Sequence, residues 1–272
     1  MDRKILVNSN CYHGYSIDDA IEGIAKAGFK YIELTATKGW TEHVFGDKTF
    51  FELQRIKDKL EKYDLTPLAM SGHTSLMDET RIKDFISNIH LANFFGAKYI
   101  VTSVGEAHLE DVENTGNELV ISNLKQFVPL LERYDMKLSV EVHGKDHGTG
   151  VILKEIVDTV GSDRVKVAYD TANAVFYGNV DPVLDLKESI EAVNYIHIKD
   201  KAGERTEWNF PALGEGTIDF KGMLEVLDEA DNDAPLSIEI EFTEVGPKDL
   251  EEINKAVLVS RHYLENLGLK VG

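Results

Sequence analysis

Short runs rich in aliphatic and β-branched residues alternate along the whole chain with longer stretches whose apolar positions recur at helical spacing. Eight runs read as strands: ILVNS from Ile5, YIEL from Tyr31, LTPLAMS from Leu65, AKYIVTS from Ala97, KLSVEVH from Lys137, VKVAYD from Val165, VNYIHI from Val193 and LSIEIEF from Leu236. Helices are expected over 16–27, 48–63, 79–95, 117–134, 220–230 and 248–267, and the stretch after Asp181-Pro182 carries a fainter pattern. Ser16, with Asp19 three residues on, has the form of a helix start, and Gly28 ends that helix. The segments AKAGFKYIEL and ANFFGAKYIV share a helix end, a glycine and an aromatic-aliphatic strand, which marks repeated topology rather than a true repeat. Strand and helix in strict alternation build parallel sheets, and eight such units in 272 residues predict an α/β protein, a single (β/α)8 TIM barrel spanning 1–272. No Pro- or Gly-rich linker divides the chain, and its one long irregular stretch, 200–217, follows the seventh strand, where a barrel carries functional loops.

The period of two within each strand sharpens this. Leu138, Val140 and Val142 share one face, leaving Ser139, Glu141 and His143 on the other; Val165, Val167 and Tyr169 oppose Asp170; Ile196 and Ile198 oppose His197; Leu236, Ile238 and Ile240 oppose Glu239 and Glu241. The aliphatic faces can pack on a ring of helices, so the ionisable groups point inward near the ends of four successive strands, where the barrel opens. Their separations of 29, 27 and 42 residues are close to one βα unit each, the last stretched by the long loop. Three carboxylates crowded into a partly dry mouth raise one another's pKa unless a cation compensates. One divalent metal ion is therefore expected on Glu141, Asp170, His197 and Glu239, with Glu241 competing for the last place. Oxygen-rich ligation with one imidazole suits Mn²⁺ or Mg²⁺, with Co²⁺ and Zn²⁺ as alternatives, and the lack of thiolate ligands argues against a closed structural zinc site.

Charge and composition narrow the partners. With 29 Lys+Arg against 48 Asp+Glu the net charge is -19, which repels a phosphate backbone and makes nucleic acid an unlikely ligand. The single cysteine, Cys11, cannot form an intramolecular disulfide, the start MDRKILVNSN has no apolar core of a signal peptide, and no apolar run reaches membrane-span length, so a cytoplasmic protein without a membrane partner is expected.

The order of short motifs adds a likeness. Glu141-Val-His143-Gly144, Val160-Gly161 leading through Asp170-Thr171-Ala172-Asn173, His197-Ile-Lys199-Asp200, the run from Leu213 to Phe220 and Ser237-Ile-Glu239 resemble the sugar phosphate isomerase/epimerase family of xylose isomerase-like barrels, which includes ketose 3-epimerases and inosose dehydratase. The resemblance covers nearly the whole chain. It implies that Glu141, Asp170, His197 and Glu239 ligate the metal, Glu239 rather than Glu241, and that Glu141 and Glu239 flank the substrate as base and acid. It also implies a small carbohydrate substrate and assembly as a homodimer or homotetramer. Asn173 departs from the epimerases, which carry a His at that place. Chemistry and resemblance together predict an isomerase acting through a metal-stabilised enediolate: proton return to the opposite face epimerises, return to the adjoining carbon isomerises, and loss of a β-hydroxyl dehydrates.

Around this core, His73, His143, Asn173, Lys199 and Glu33 are expected to contact substrate. Each has a plainer reading: His73 and Glu33 as structural groups, His143 as a partner orienting Glu141 or an exposed loop residue, and Lys199 in a salt bridge to one of the carboxylates. Trp40 and Trp208 fall in βα loops and could stack on a sugar or cap the mouth. Gly214-Glu-Gly216 reads as loop punctuation and the acidic run 225–233 as a solvated helix end. Two other functions compete: an endonuclease of the same superfamily acting on abasic DNA, opposed by the charge and by Asn173, and a non-catalytic sugar-binding barrel, opposed by the presence of both glutamates.

Overall fold

The computed structural model describes residues 3–106 and 109–272. Parallel strands follow one another around a closed barrel: β1 (Ile5–Asn8), β2 (Tyr31–Thr35), β3 (Thr66–Ser71), β4 (Tyr99–Thr102), β5 (Lys137–Glu141), β6 (Val165–Asp170) and β7 (Val193–Ile198). A two-residue strand, β8 (Asn209–Phe210), stands outside the ring. β9 (Leu236–Ile238) then completes the circle by pairing with both β7 and β1. β10 (Phe242–Thr243) turns back to pair antiparallel with β8 above the mouth.

The helices are α1 (Ile17–Lys26), α2 (Phe50–Lys62), α3 (Ile82–Phe95), α4 (Glu118–Arg133), α5 (Gly150–Val160), α6 (Thr171–Phe176), α7 (Pro182–Ser189), α8 (Phe220–Glu229) and α9 (Leu250–Asn266). Ser16 and Asp19 close a reciprocal cap on α1, and Thr49 and Glu52 do the same on α2, so two of the first orphan amides of each helix are satisfied within its own first turn. The fainter stretch after Asp181-Pro182 is α7, capped by the Asp181 carboxylate with Pro182 in its first turn. Two helices have no counterpart among the expected ones. α5 is rich in β-branched residues, which favour strands, yet it is held by Thr149 at its start and by Gly161 in the left-handed region at φ 71° at its end. α6 is only 6 residues long, too short to show a period, and starts on the Asp170 carboxylate. None of the helices among the described residues is long and apolar enough to cross a membrane.

The expected alternation is realised in two cores. Residues such as Val7, Val140, Val167, Ile196 and Ile238 face outward into the layer between sheet and helices. Inside the barrel, Leu6, Val101, Ala168 and Tyr195 form a separate apolar plug, with Tyr31 and Tyr99 packed against it. The lower half of the barrel is therefore filled with side chains, as barrel interiors are, and polar residues occupy only the half above.

The eighth barrel strand is shorter than the LSIEIEF run predicts. The amide of Ile240 donates to the buried Cys11 sulfur at 3.2 Å and that of Glu241 to the Phe210 carbonyl at 3.2 Å, so the ladder is lost to a thiol and to β8, and Phe242 bends away at φ 57°. After β7, the Asp200 carboxylate gathers the 200–217 loop. Its Oδ1 accepts from the amides of Lys201 and Ile218 (2.8 and 3.2 Å) and its Oδ2 from those of Gly214 and Gly216 (both 2.9 Å). Gly216 has no room for a side chain, because a Cβ there would lie 2.2 Å from Asp200 Oδ1.

Candidate active site

β5 and β6 end on the inward carboxylates Glu141 and Asp170, the next-to-last residue of β7 is the inward His197, and the residue following β9 is Glu239. One ligand atom from each of Glu141, Asp170, His197 and Glu239 lies within 4.8 Å of the others, and all four residues are buried. Asp170 and Glu239 are each anchored through one carboxylate oxygen, with the other turned toward the group. Asp170 caps α6: its Oδ1 accepts from the amides of Ala172 and Asn173 at 2.9 and 2.8 Å, while its Oδ2 is buried without a hydrogen-bond partner. Glu239 Oε1 accepts from the side-chain amides of Asn8 and Asn10 at 3.1 and 3.2 Å, leaving Oε2 facing His197 Nδ1 at 3.9 Å. His197 Nδ1 touches Glu141 Oε1, and its Nε2 points down to Glu33, 3.0 Å from Oε2.

Glu33, expected to meet substrate, sits beneath the cluster and does not line the cavity. It is fully buried on the apolar plug and takes donors from Ser71 (2.5 Å), Tyr195 (2.9 Å) and Ser237 (2.6 Å) as well as His197. With its Nε2 proton held by this carboxylate, His197 can give up the Nδ1 proton it shares with Glu141 and offer that lone pair to an ion, the arrangement by which a carboxylate fixes the tautomer of a metal-ligating histidine.

Electrostatics single out the same centre. Burial would raise the Glu141 carboxyl, but His197 and His73 hold it below the usual carboxylate range; burial likewise opposes, and Lys199 and His197 outweigh, in Glu239. Asp170 goes the other way: burial, then the charges of Glu141 and Glu239, push it well above its ordinary value against the pull of Lys199. A buried carboxylate oxygen without a hydrogen bond, 3.9 Å from the Lys199 ammonium and beside two further carboxylates and an imidazole, fits a divalent cation, which removes the conflict by charge.

A narrow cavity lies above the cluster, about 410 Å³ counting the part open to solvent. Of the expected substrate contacts, His73, His143, Asn173 and Lys199 line it. His73 Nδ1 accepts from the Ser103 amide at 3.2 Å, which places the ring proton on Nε2, 3.6 Å from Glu141 Oε2. Burial pushes His143 down to about 4, so this ring is neutral at pH 7. Asn173 is turned aside, its side-chain amide donating to the Val142 carbonyl at 3.0 Å. Lys199 lies buried over the Phe210 ring, 3.3 Å from Glu239 Oε2 and in contact with Glu241, so it forms the salt bridge of its plainer reading. Glu241 thereby faces Lys199 and Asn10 and stays outside the four-residue group.

Several contributors are not evident from the sequence pattern. Asn8 and Asn10 hold Glu239, and Tyr177 and Thr35 line the same cavity. Asn8 carries a legible signal all the same: it ends the first strand on the face of Leu6, as Glu141 ends the fifth.

The family model described as "Xylose isomerase-like TIM barrel" matches residues 21–261. The chain belongs to this family. Among its relatives is the inosose dehydratase of Clostridium botulinum, 25% identical over 262 residues that cover 83% of this chain and 82% of that protein. Solved structures of similar fold include D-psicose 3-epimerase in the presence of D-fructose (TM-score 0.77, 14% identity, 97% and 99% of the two chains). The IolI protein with a binding zinc atom is another (TM-score 0.76, 19% identity, 97% of each). In this xylose isomerase-like barrel, the buried Glu/Asp/His cluster could bind one metal ion.

Proposed function

We propose that the protein is a divalent-metal-dependent isomerase or epimerase of a sugar or sugar derivative, with Glu141, Asp170, His197 and Glu239 holding one ion, Mn²⁺ or Mg²⁺ before Co²⁺ or Zn²⁺. The observation that carries this reading is the four-residue cluster, in which Asp170 Oδ2 is buried without a hydrogen bond, 3.9 Å from the Lys199 ammonium. The bound ion supplies a Lewis acid for negative charge developing on the oxygens of a carbonyl and its neighbouring hydroxyl. The chain does the rest. Glu141 and Glu239 come from opposite sides of the cluster and exchange the carbon-bound proton next to the carbonyl, one as base and the other as acid. The His73 Nε2–H faces Glu141 and steadies its ionised form, and the Asn8 and Asn10 amides fix Glu239. Glu33 orients His197 and touches no substrate.

A second reading, dehydration of a keto-sugar by the same pair, draws on the inosose dehydratase relatives. Both reactions begin with the same proton removal and diverge at the next step. Incubating metal-loaded protein with a panel of ketoses, ketose phosphates and inososes in D₂O distinguishes them: recovered sugar carrying deuterium at the carbon beside the carbonyl supports isomerisation or epimerisation, and an unsaturated or deoxy product supports dehydration. Absence of both exchange and product across the panel, with metal occupancy verified, would sink the enzymatic reading.

A further inference from the structure

A second hollow opens directly onto the inner cavity, with which it shares Asn10, Trp40, Trp208 and Glu241. Its character is different. The inner chamber is walled by carboxylates, amides and imidazoles, whereas the outer one, about 1100 Å³ counting the part open to solvent, presents Ile240, Phe242, Val245 and Pro247 alongside the two indoles. Both indoles are braced. His13 stacks on Trp40 with ring centroids 3.8 Å apart and 11° between planes, and Thr41 holds His13 Nδ1 at 2.8 Å. Trp208 packs edge-on against Phe176 and Phe210, at 5.9 and 5.0 Å.

A bare sugar gains little from the outer chamber, because hydroxyls placed against Ile240, Phe242, Val245 and Pro247 lose water and gain no partner there. A sugar phosphate fares no better: among the described residues lining the outer chamber there is no Lys or Arg, Glu241 and Glu244 are present, and Lys199 in the inner chamber is already ion-paired. Val245, 93% exposed on the rim, leaves an apolar side chain facing the space a ligand would fill. Resting on the sugar reading above, we infer that the outer chamber is a subsite for an apolar, aryl-sized substituent, and that the substrate is a sugar conjugate carrying such a group, its sugar on the ligand cluster and its substituent between Trp40 and Trp208.

The test is equilibrium binding to the Mn²⁺-loaded full chain of three probes, D-fructose, methyl β-D-glucoside and phenyl β-D-glucoside. Burying the phenyl ring should make the phenyl glucoside bind about tenfold or more tighter than the methyl glucoside. Val245→Asp and Pro247→Asp, which alter only the outer chamber, should bring that ratio toward one in protein that keeps its wild-type circular dichroism. Equal binding of the two glucosides, or a preference that neither variant reduces, overturns the subsite. So does a wild-type dimer that Val245→Asp dissociates without any phenyl preference having been present, since the hollow would then be an interface between copies. Failure of all three probes to bind is a separate result and removes the sugar reading itself.

Discussion

At the scale of single residues, the site is built from side chains that each do two things with two atoms. Glu141→Gln and Glu239→Gln should each lower kcat by roughly 10²-fold or more at saturating metal, because an amide can fill a coordination position and cannot exchange a proton at neutral pH. Metal occupancy measured beside turnover separates that loss from simple loss of the ion, and near-normal turnover in both variants would remove the acid-base assignment. Glu33 offers a sharper probe, since it contacts only His197 and three hydroxyl donors. Glu33→Gln should weaken metal binding by about 10–100-fold, because the Nε2–H of His197 exchanges a charged acceptor for a neutral amide oxygen that raises the basicity of the ring less. Titration with Mn²⁺ would read this, and unchanged affinity would show that His197 needs no such support. His43 makes a different prediction. Burial holds its pKa down to about 4 against an ordinary 6.5, and its Nε2 lies 3.2 Å from the Tyr15 carbonyl. A base whose folded pKa is depressed binds more protons unfolded, so its contribution is whole above pH 6.5 and is lost as pH falls toward 4, ~3 kcal/mol in all. Urea unfolding at pH 7 and pH 4.5 should show a smaller pH loss in His43→Gln than in the wild type, and equal losses would clear His43 of this role.

At the scale of elements, the Asp200 carboxylate is the knot of the loop that carries Trp208 and β8. Removing it in Asp200→Ala strands four backbone amides, and a cost of about 3 kcal/mol is expected from loss of charge-assisted hydrogen bonds. A thermal midpoint within a degree or so of wild type would show that the loop holds without it. This knot also shows where sequence reading stops. Period-two alternation placed Glu141, Asp170, His197 and Glu239 on one inward face, because that pattern is set by local backbone geometry, and every barrel strand was legible for the same reason. Gly214-Glu-Gly216 read only as punctuation, since the carboxylate that its amides serve lies more than a dozen residues earlier. Glu33 faced inward as expected, yet whether an inward residue meets substrate or lies beneath the ligands depends on its height in the barrel, which is set by the stagger between strands and not by the strand's own pattern. α5 escaped because its β-branched residues argue locally for a strand, against which stand its caps, Thr149 and Gly161, and its packing on β6 and α7.

At the scale of the whole molecule, the net charge of -19 is spread over a barrel whose mouth also gathers carboxylates, so the field disfavours polyanions and draws in cations, in keeping with a metal-dependent small-molecule site. The barrel's two halves are chemically unlike: a floor of Leu6, Val101, Ala168 and Tyr195, and a polar room above it. That floor turns the site into a room with one door. Whatever is made on the cluster must back out along the path by which its precursor came, and a fresh molecule has to wait for the threshold to clear. Arrivals and departures therefore exclude each other. Added product should act as a purely competitive inhibitor of initial rates, raising KM and leaving kcat untouched, and a fall in kcat with rising product would mean that product can lodge in the protein while substrate occupies the cluster.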